Sequence, residues 1–598
     1  MDIKNLHLHW GESKYKGKIY RSYSLALPYR KNGKNLKHPV VKLGKLSNKE
    51  AKRWKTLLKT IKKPDSFMTT MDDIFVSRHY AYLNVALVNA IWDEWGLDNV
   101  FPSNGKRDIG IATIARILTI NRCIKPKAKY NIPEWFRSTF LPYLLNIEPG
   151  KVNSSRIFRE LASIEQYKED ICKHLFERMK KENPNSMKSV FYDLSSSCFS
   201  GTRCLMMNYG LCKDGFKNHV VLAMVVNKNG LPFYWDVLPG NTADVKTIDW
   251  LMGRIKDRFK IEGITLTFDR GMVSDDNLNT LENEEIKYIS AMDKNQIEGI
   301  TGINFTKFLN LNSEHIKAQA EKLSGFKKLN ESTYYREIKT EGKRRYILCF
   351  NPQLFKDQRK ARRLAVENFN MALKQLNAEL CEAKKSRNRK STNAKFKHYL
   401  TKFKIKGFVK VDLKIKHITV KSSNETQRTI RTYQAATIVD KKKMLDSGKL
   451  DGFWLLVTNH SEKTKQGFKV SAQQAIEPYR DKVVIESAFR DIKSFIEIEP
   501  FFVWTPIHVM AHYTICSLSY LINRTLTLRL HKKKGDITKN VVAHAKLYEE
   551  LSECQIDCIE VENVQKSQNK ITRPTNRQEE LLNRVGLKKL TEGIKLEK

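Results

Sequence analysis

Three carboxylates far apart in the chain invite the first reading. Asp193 lies in "VFYDLSS", Asp269 in "LTFDRGM" and Glu486 in "YRDKVVIESAFRDIKSF". Each aspartate stands in or at the end of an apolar run, where an ionised carboxylate is costly unless something binds it. Taken singly, each reads as readily as a turn-former or helix cap. Together, two aspartates and a glutamate form a set of hard oxygen ligands with no thiolate or imidazole among them, the donor chemistry of Mg²⁺ or Mn²⁺. Two such ions, roughly 3.5 to 4 Å apart, activate water or a 3′-hydroxyl on one side of a phosphorus and stabilise the leaving oxygen on the other. Phosphodiester chemistry of this kind needs no nucleophilic side chain and no phosphate-cradling loop, and the chain has no GxxxxGK[ST] motif.

Glu486 keeps notable company. Tyr479, Lys482, Glu486 and Lys493 follow one another at spacings of three, four and seven. At about 100° of rotation per residue, one helix carries all four within a wedge roughly 60° wide. Ile485, Phe489, Ile492 and Ile496 fall on an adjacent stripe that faces a core. A salt-bridged amphipathic helix shows the same pattern, so the carboxylates elsewhere have to decide between the two readings.

The elements that would position these groups change period along the chain. "SVFYDLSSSCF" reads as a buried strand, "HVVLAMVVNKNGLPFYWDVLPGN" as two strands joined at Asn229 and Gly230, and "DVKTIDWLMGRIKDRF" as a helix. "GITLTFDRGM" is a further strand ending in a turn. That order makes an α/β mixed sheet with helices packed on it, and carboxylates at strand ends of such a sheet point into a shared crevice. Residues 1–63 read as a small β-rich module with a hairpin at Asn32 and Gly33, and 64–185 as a helical domain, either DNA-binding or a scaffold. Residues 186–294 form the first part of the sheet domain, 295–450 an insertion that is helical and then strand-rich, and 451–530 the second part with the Glu486 helix. Residues 531–598 read as a polar tail available for dimerisation or DNA contact.

Composition narrows the partners. Lysine and arginine number 107 against 65 acidic residues in 598, a formal charge of +42, which calls for a polyanion. The cations are spread along the chain and not gathered beside one apolar anchor, so nucleic acid is favoured over a membrane surface. "VMAHYTICSLSYLINRTL" is broken by His512, Tyr513 and Asn523 and reads as a buried helix. The opening stretch "MDIKNLHLHWGESKYKGK" has no apolar run like that of a signal peptide, and ten cysteines without a CxxC pair fit a reducing compartment. A cytoplasmic location is the expectation. Trp235 and Trp454 offer faces for an unpaired base, against a core role suggested by their apolar strands. Arg270 serves equally well as a phosphate contact or a structural ion pair. His508 and His512, one turn apart, read as packing or DNA contact, and Asp244 as the cap of the helix beginning near Val245.

Asp193, Asp269 and Glu486, in strand, strand and helix, resemble the DDE triad of bacterial insertion-sequence transposases built on an RNase H-like core. The Tyr479, Lys482, Glu486, Lys493 pattern is similar to the Tyr-Arg-Glu-Lys signature of one large group, the insertion-sequence-four superfamily. Lys482 departs from it, keeping the charge but not the bidentate fork of arginine. "FYWDVLPGNTAD", "FDRGM" and "DGFWLLVTNH" also resemble segments flanking that triad, and the likeness spans roughly residues 188 to 525. The resemblance implies double-stranded DNA as partner, recognition of terminal inverted repeats, cleavage at the element's ends and strand transfer into a target. It also implies two Mg²⁺ or Mn²⁺ ions held by Asp193, Asp269 and Glu486, and a homodimer or larger synaptic complex in the nucleoid of a bacterial cell, often working through a DNA hairpin. Tyr479, Lys482 and Lys493, with Arg270 and Trp454 as further candidates, would hold phosphates and a displaced base. A metal-dependent nuclease without strand transfer, or an inactive or repurposed DNA-binding descendant, remain the alternatives.

Overall fold

The computed structural model describes residues 3–63, 69–102, 108–212, 215–259, 263–421, 427–465, 467–531, 543–562 and 564–591. The N-terminal module is a three-stranded antiparallel sheet of β1 (His7–Tyr15), β2 (Lys18–Lys31) and β3 (Lys34–Gly44). Both turns, Lys16-Gly17 and Asn32-Gly33, have positive φ at both residues, the conformation that suits a tight two-residue hairpin. Helix α1 (Asn48–Ile61), opened by a capping box between Ser47 and Glu50, lays Ala51 and Leu58 on Leu6, Leu8, Tyr23 and Leu25. These residues thus form a three-stranded sheet with a helix and a core of their own.

Strand β4 (Ile74–Ala81) leads into the helices α2 (Leu83–Trp95), α3 (Ile111–Ile124), α4 (Ser154–Gln166) and α5 (Lys168–Glu182). The central sheet begins with β5 (Ser189–Cys198), β6 (Asn208–Cys212), β7 (Gly215–Asn227) and β8 (Pro232–Leu238), followed by α6 (Thr247–Phe259), β9 (Thr265–Thr267) and β10 (Lys287–Ala291). Across the sheet the order is β8, β7, β5, β9, β10. The first two junctions are antiparallel and the next two parallel. This is the mixed sheet of an RNase H-like core. Its strands are almost continuously apolar because both faces are covered. The Asn229-Gly230 turn is also where it was expected: a Cβ on Gly230 would stand 2.5 Å from Val484 Cγ2, so this hairpin packs tightly under the Glu486 helix.

The insertion has two unlike parts. Strands β11 (Lys327–Asn330), β12 (Thr333–Glu341) and β13 (Arg344–Phe350) extend the central sheet, and β16 (Phe453–Thr458) runs antiparallel between β10 and β13. Between them, α7 (Pro352–Cys381), α8 (Arg389–Lys402), β14 (Val409–Lys421) and β15 (Gln427–Val439) form a lobe around Phe369, Leu373, Phe396 and Tyr433. Beyond β16 come α9 (Ala472–Asp481), α10 (Val483–Ser494) and α11 (Pro506–His531).

Two expected boundaries give way. The helices after β4 are not a separate domain, because a single cluster runs from Tyr80 through the sheet to Val585. Helix α11, buried on nearly all sides, joins them: Trp235 Nε1 donates to Thr514 Oγ1 at 3.0 Å, Ser519 Oγ to the Thr119 carbonyl at 3.2 Å, and Trp95 Nε1 to Thr525 Oγ1 at 3.0 Å. Hydroxyls spaced through an apolar helix let it meet polar partners on both sides. The C-terminal segment is not merely a polar tail either. Helix α12 (Ala543–Ser552), strands β17 (Gln555–Val561) and β18 (Val564–Ile571) and helix α13 (Asn576–Val585) fold back, with β17 pairing to β4 and Cys554 and Ile556 buried. No described helix is long and apolar enough to cross a membrane.

Candidate active site

Sheet register brings the two aspartates together. β5 and β9 are parallel neighbours with Phe191 opposite Thr267. Two residues further on each chain stand Asp193, still within β5, and Asp269, which follows β9 as the first residue of a tight turn at Arg270–Met272. Equal offsets along parallel strands keep both carboxylates on one side of the sheet. Helix α10 packs on β5 and carries the exposed Glu486 in its first turn.

The Tyr-Lys-Glu-Lys stretch is not one unbroken helix. α9 ends at Asp481 and α10 begins at Val483, with Lys482 at the joint in right-handed helical dihedrals. The chain keeps its direction while the hydrogen-bond ladder breaks. Lys482 is buried, and its Nζ donates to Asp269 Oδ1 at 2.8 Å. The half-buried Tyr479 ring lies 6.0 Å from the same Nζ and packs with Trp454 against Leu456 and Ile476. Its phenol is pushed upward first by burial and then by the charge of Asp269, with Glu486 and Asp193 acting in the same sense and Arg270 opposing. Asp193, Asp269 and Glu486 thus all act on one tyrosine.

Asp269 is held below the ordinary aspartate range. Burial is the largest single influence and pushes the other way, but it is outweighed by the hydrogen bond and charge of Lys482 together with the backbone and charge of Arg270. A carboxyl depressed in the folded state adds stability above its unfolded pKa, and that contribution is lost as pH falls through the folded pKa. Replacing Lys482 with methionine is therefore expected to flatten the acid limb of the stability curve below about pH 4. Urea melts between pH 3 and 7 check this; an unchanged acid limb would mean the pair is not maintained in solution.

The other candidates scatter. Lys493 is tied down, donating to the Ser196 carbonyl of β5 and lying 3.6 Å from Glu499. Arg270 is exposed, and Trp454 is half-buried on the small core beneath α9. Trp235 is fully buried. His512 is buried core, its Nε2 at 3.3 Å from the Ile498 carbonyl and its Nδ1 3.1 Å from Lys129. Asp244 opens the short turn Asp244–Lys246 ahead of α6, its carbonyl accepting from Thr247 Oγ1 at 2.6 Å. Its Oδ2 lies 3.4 Å from where a Cβ on Gly271 would be, against the turn that carries Asp269. Only its place in "GNTAD", next to a conspicuous glycine turn, hinted at this.

The donor chemistry fits a hard divalent cation: two aligned strand-end carboxylates, a third from the helix, and an ammonium already compensating one of them. Among the described residues, no three such side chains are drawn close enough to hold an ion by themselves. Asp193, Asp269 and Glu486 would supply its oxygens, with Lys482 already donating to one oxygen of Asp269.

A family model described as "Transposase DDE domain" matches residues 207–522, more than half of the chain. The chain belongs to this transposase family. The match begins beyond Asp193 and does not include that residue. No curated protein matches the sequence. Among solved structures, the chain is similar to a piggyBac transposase synaptic complex with hairpin DNA, at 10% identity and a TM-score of 0.30 over 80% of each chain. It is also similar to the Mos1 transposase paired-end complex with left transposon end, at 14% identity and a TM-score of 0.14, over 41% of this chain and 68% of that one. Likeness this low carries over nothing of what those complexes bind.

Proposed function

We propose that this transposase cuts DNA at the terminal inverted repeats of the element encoding it and joins the freed 3′ ends to target DNA. The reading is carried by the alignment of Asp193 with Asp269 on neighbouring parallel strands, with Glu486 acting on the same tyrosine. Asp193, Asp269 and Glu486 would hold two Mg²⁺ or Mn²⁺ ions, which supply charge for the attacking and leaving oxygens of an in-line displacement. Lys482, once released from Asp269, becomes a buried ammonium beside the acids, placed to hold a phosphate oxygen of the cut strand. Tyr479 is anchored by its core contacts and offers the ring edge beside that strand; Arg270, exposed on the Asp269 turn, adds a phosphate contact. Trp454 offers part of its ring for an unpaired base, while Lys493 positions α10 on β5. On this reading the chain would work as a member of the Tyr-Arg-Glu-Lys group, as a dimer or larger synaptic complex on the nucleoid of a bacterial cytoplasm.

The test is incubation of the full chain with duplexes bearing the element's own ends and a target plasmid, with and without Mg²⁺ or Mn²⁺. Products in which a 3′ end is covalently attached to target, formed only with metal, are expected. Cut ends without joining would reduce the protein to a nuclease, and binding without cutting would make it an inactive or repurposed descendant.

A further inference from the structure

The N-terminal module lies outside the family match and has no part in the candidate active site. We propose that the open face of its three-stranded sheet is a second DNA-binding site that enters the major groove of a B-form duplex. Residues 1–63 hold 18 lysines and arginines against three acids, a formal charge of +15. That is more than a third of the excess of the whole chain on about a tenth of its length.

Register separates the two faces. Leu8 opposite Leu25 and Trp10 opposite Tyr23 belong to the side covered by α1, since Leu8, Leu25 and Tyr23 are buried in the module's core. Direct cross-strand partners share a face, so His9, Ser24 and Lys42, aligned across all three strands, lie on the other one. Ser22 and Arg30 follow on β2 at the same parity, and Lys37 is opposite Pro28 with its Nζ 3.5 Å from His9 Nδ1. α1 is on the opposite side, and toward the start of β1 the open face ends where Ala26 is fully buried opposite His7.

Its chemistry suits base edges more than a protein partner. The middle is small and polar: Gly11 opposite Ser22, with open space where a Cβ on Gly11 would point, and Ser13 one position beyond on the same parity. Lys37, Lys42 and Arg30 flank it, all exposed. Neither described acid reaches this face: Glu12 pairs with Arg21 at 2.7 Å on the α1 side, and Glu50 is used in the cap of α1. Serines, a histidine and cations without opposing carboxylates can hydrogen-bond base edges while the flanking charges meet phosphates. The major groove, about 12 Å wide, admits a two-stranded ribbon such as β2 and β3.

The experiment uses the full chain, without divalent metal, and a fluorescein-labelled mixed-sequence duplex of about 24 base pairs, read by anisotropy across a KCl series. Because no cutting is involved, a failure of the catalytic reading leaves the result untouched. The variant Lys37→Glu/Lys42→Glu is compared with Lys52→Glu/Lys59→Glu, an equal charge change on exposed positions of α1. The open-face reversal is expected to weaken binding at least about tenfold and to reduce the log–log salt slope by about two, with the α1 reversal staying within about threefold. A duplex whose cytosines carry glucosylated hydroxymethyl groups, which fill the major groove without changing charge, is expected to bind wild type about tenfold more weakly. Equal losses for the two reversals, full affinity for the glucosylated duplex, or equal competition by a double-stranded RNA of the same sequence, whose major groove is closed to side chains, would each overturn the proposal.

Discussion

Asp269→Asn, Asp193→Asn and Glu486→Gln are each expected to lower metal-dependent DNA cleavage by about a thousandfold or more, with metal-free DNA binding kept within about twofold. These changes preserve shape and remove only the charge that would hold an ion. Losses should not add when two are combined, since removing any one ligand already disables the unit. Asp269→Asn carries a second signature, because it also deprives Lys482 of its anion: the variant is expected to lose the acid limb of its stability curve in the same way as Lys482→Met. Turnover within tenfold of wild type in any single variant would remove that residue from the site. Gel assays of end-labelled duplexes, with circular dichroism to confirm folding, decide the matter.

Gly240→Ala is expected to be the most damaging single methyl in the sheet. A Cβ there would lie 2.1 Å from the His219 carbonyl oxygen and 3.1 Å from the Asn208 amide, both backbone atoms of paired strands that cannot step aside. Overpacking against fixed backbone costs about 3 kcal/mol or more. The damage should reach function too. Gly240 starts the turn that carries the chain from β8 to Asp244, and Asp244 abuts the turn that holds Asp269. A melting temperature within about 2 °C of wild type would show that the close approach of the Gly240 turn to β6 and β7 relaxes at little cost.

Much of this was legible from sequence because the signals were local. Near-continuous apolar runs located β5, β7 and β8; Asn229-Gly230 and Asn32-Gly33 marked turns that the backbone adopts; a glycine after Asp269 marked the end of β9. The register between β5 and β9, which pairs the aspartates, could not be read this way, since no short-range pattern encodes which residues of two distant strands meet. Lys482 shows the limit differently. Helical spacing put it on the face of Glu486, but its burial goes with a carboxylate 213 residues away in sequence that no such spacing encodes. Boundaries failed where apolar segments serve two layers at once: α11 looks like one buried helix whether it closes a domain or fuses two, and only its partners on both sides reveal that it fuses them. The C-terminal strands were hidden by their polarity, because they gain their order from pairing, β17 with β4 and β18 with β17.

The lobe between β13 and β16 is strung across a narrow neck. The Asn351 amide donates to the Gly452 carbonyl at 2.8 Å, so the two strands it separates are already side by side where the lobe leaves and returns. Closing a longer excursion over a fixed gap grows only with the logarithm of its length. The lobe keeps its own core, so the central sheet is indifferent to how much chain is threaded through that opening. Lineages could enlarge, trim or replace this stretch as a cassette while the catalytic frame stayed the same, with Gly452, whose positive φ and close approach to Asn351 form the clasp, as the position least free to vary.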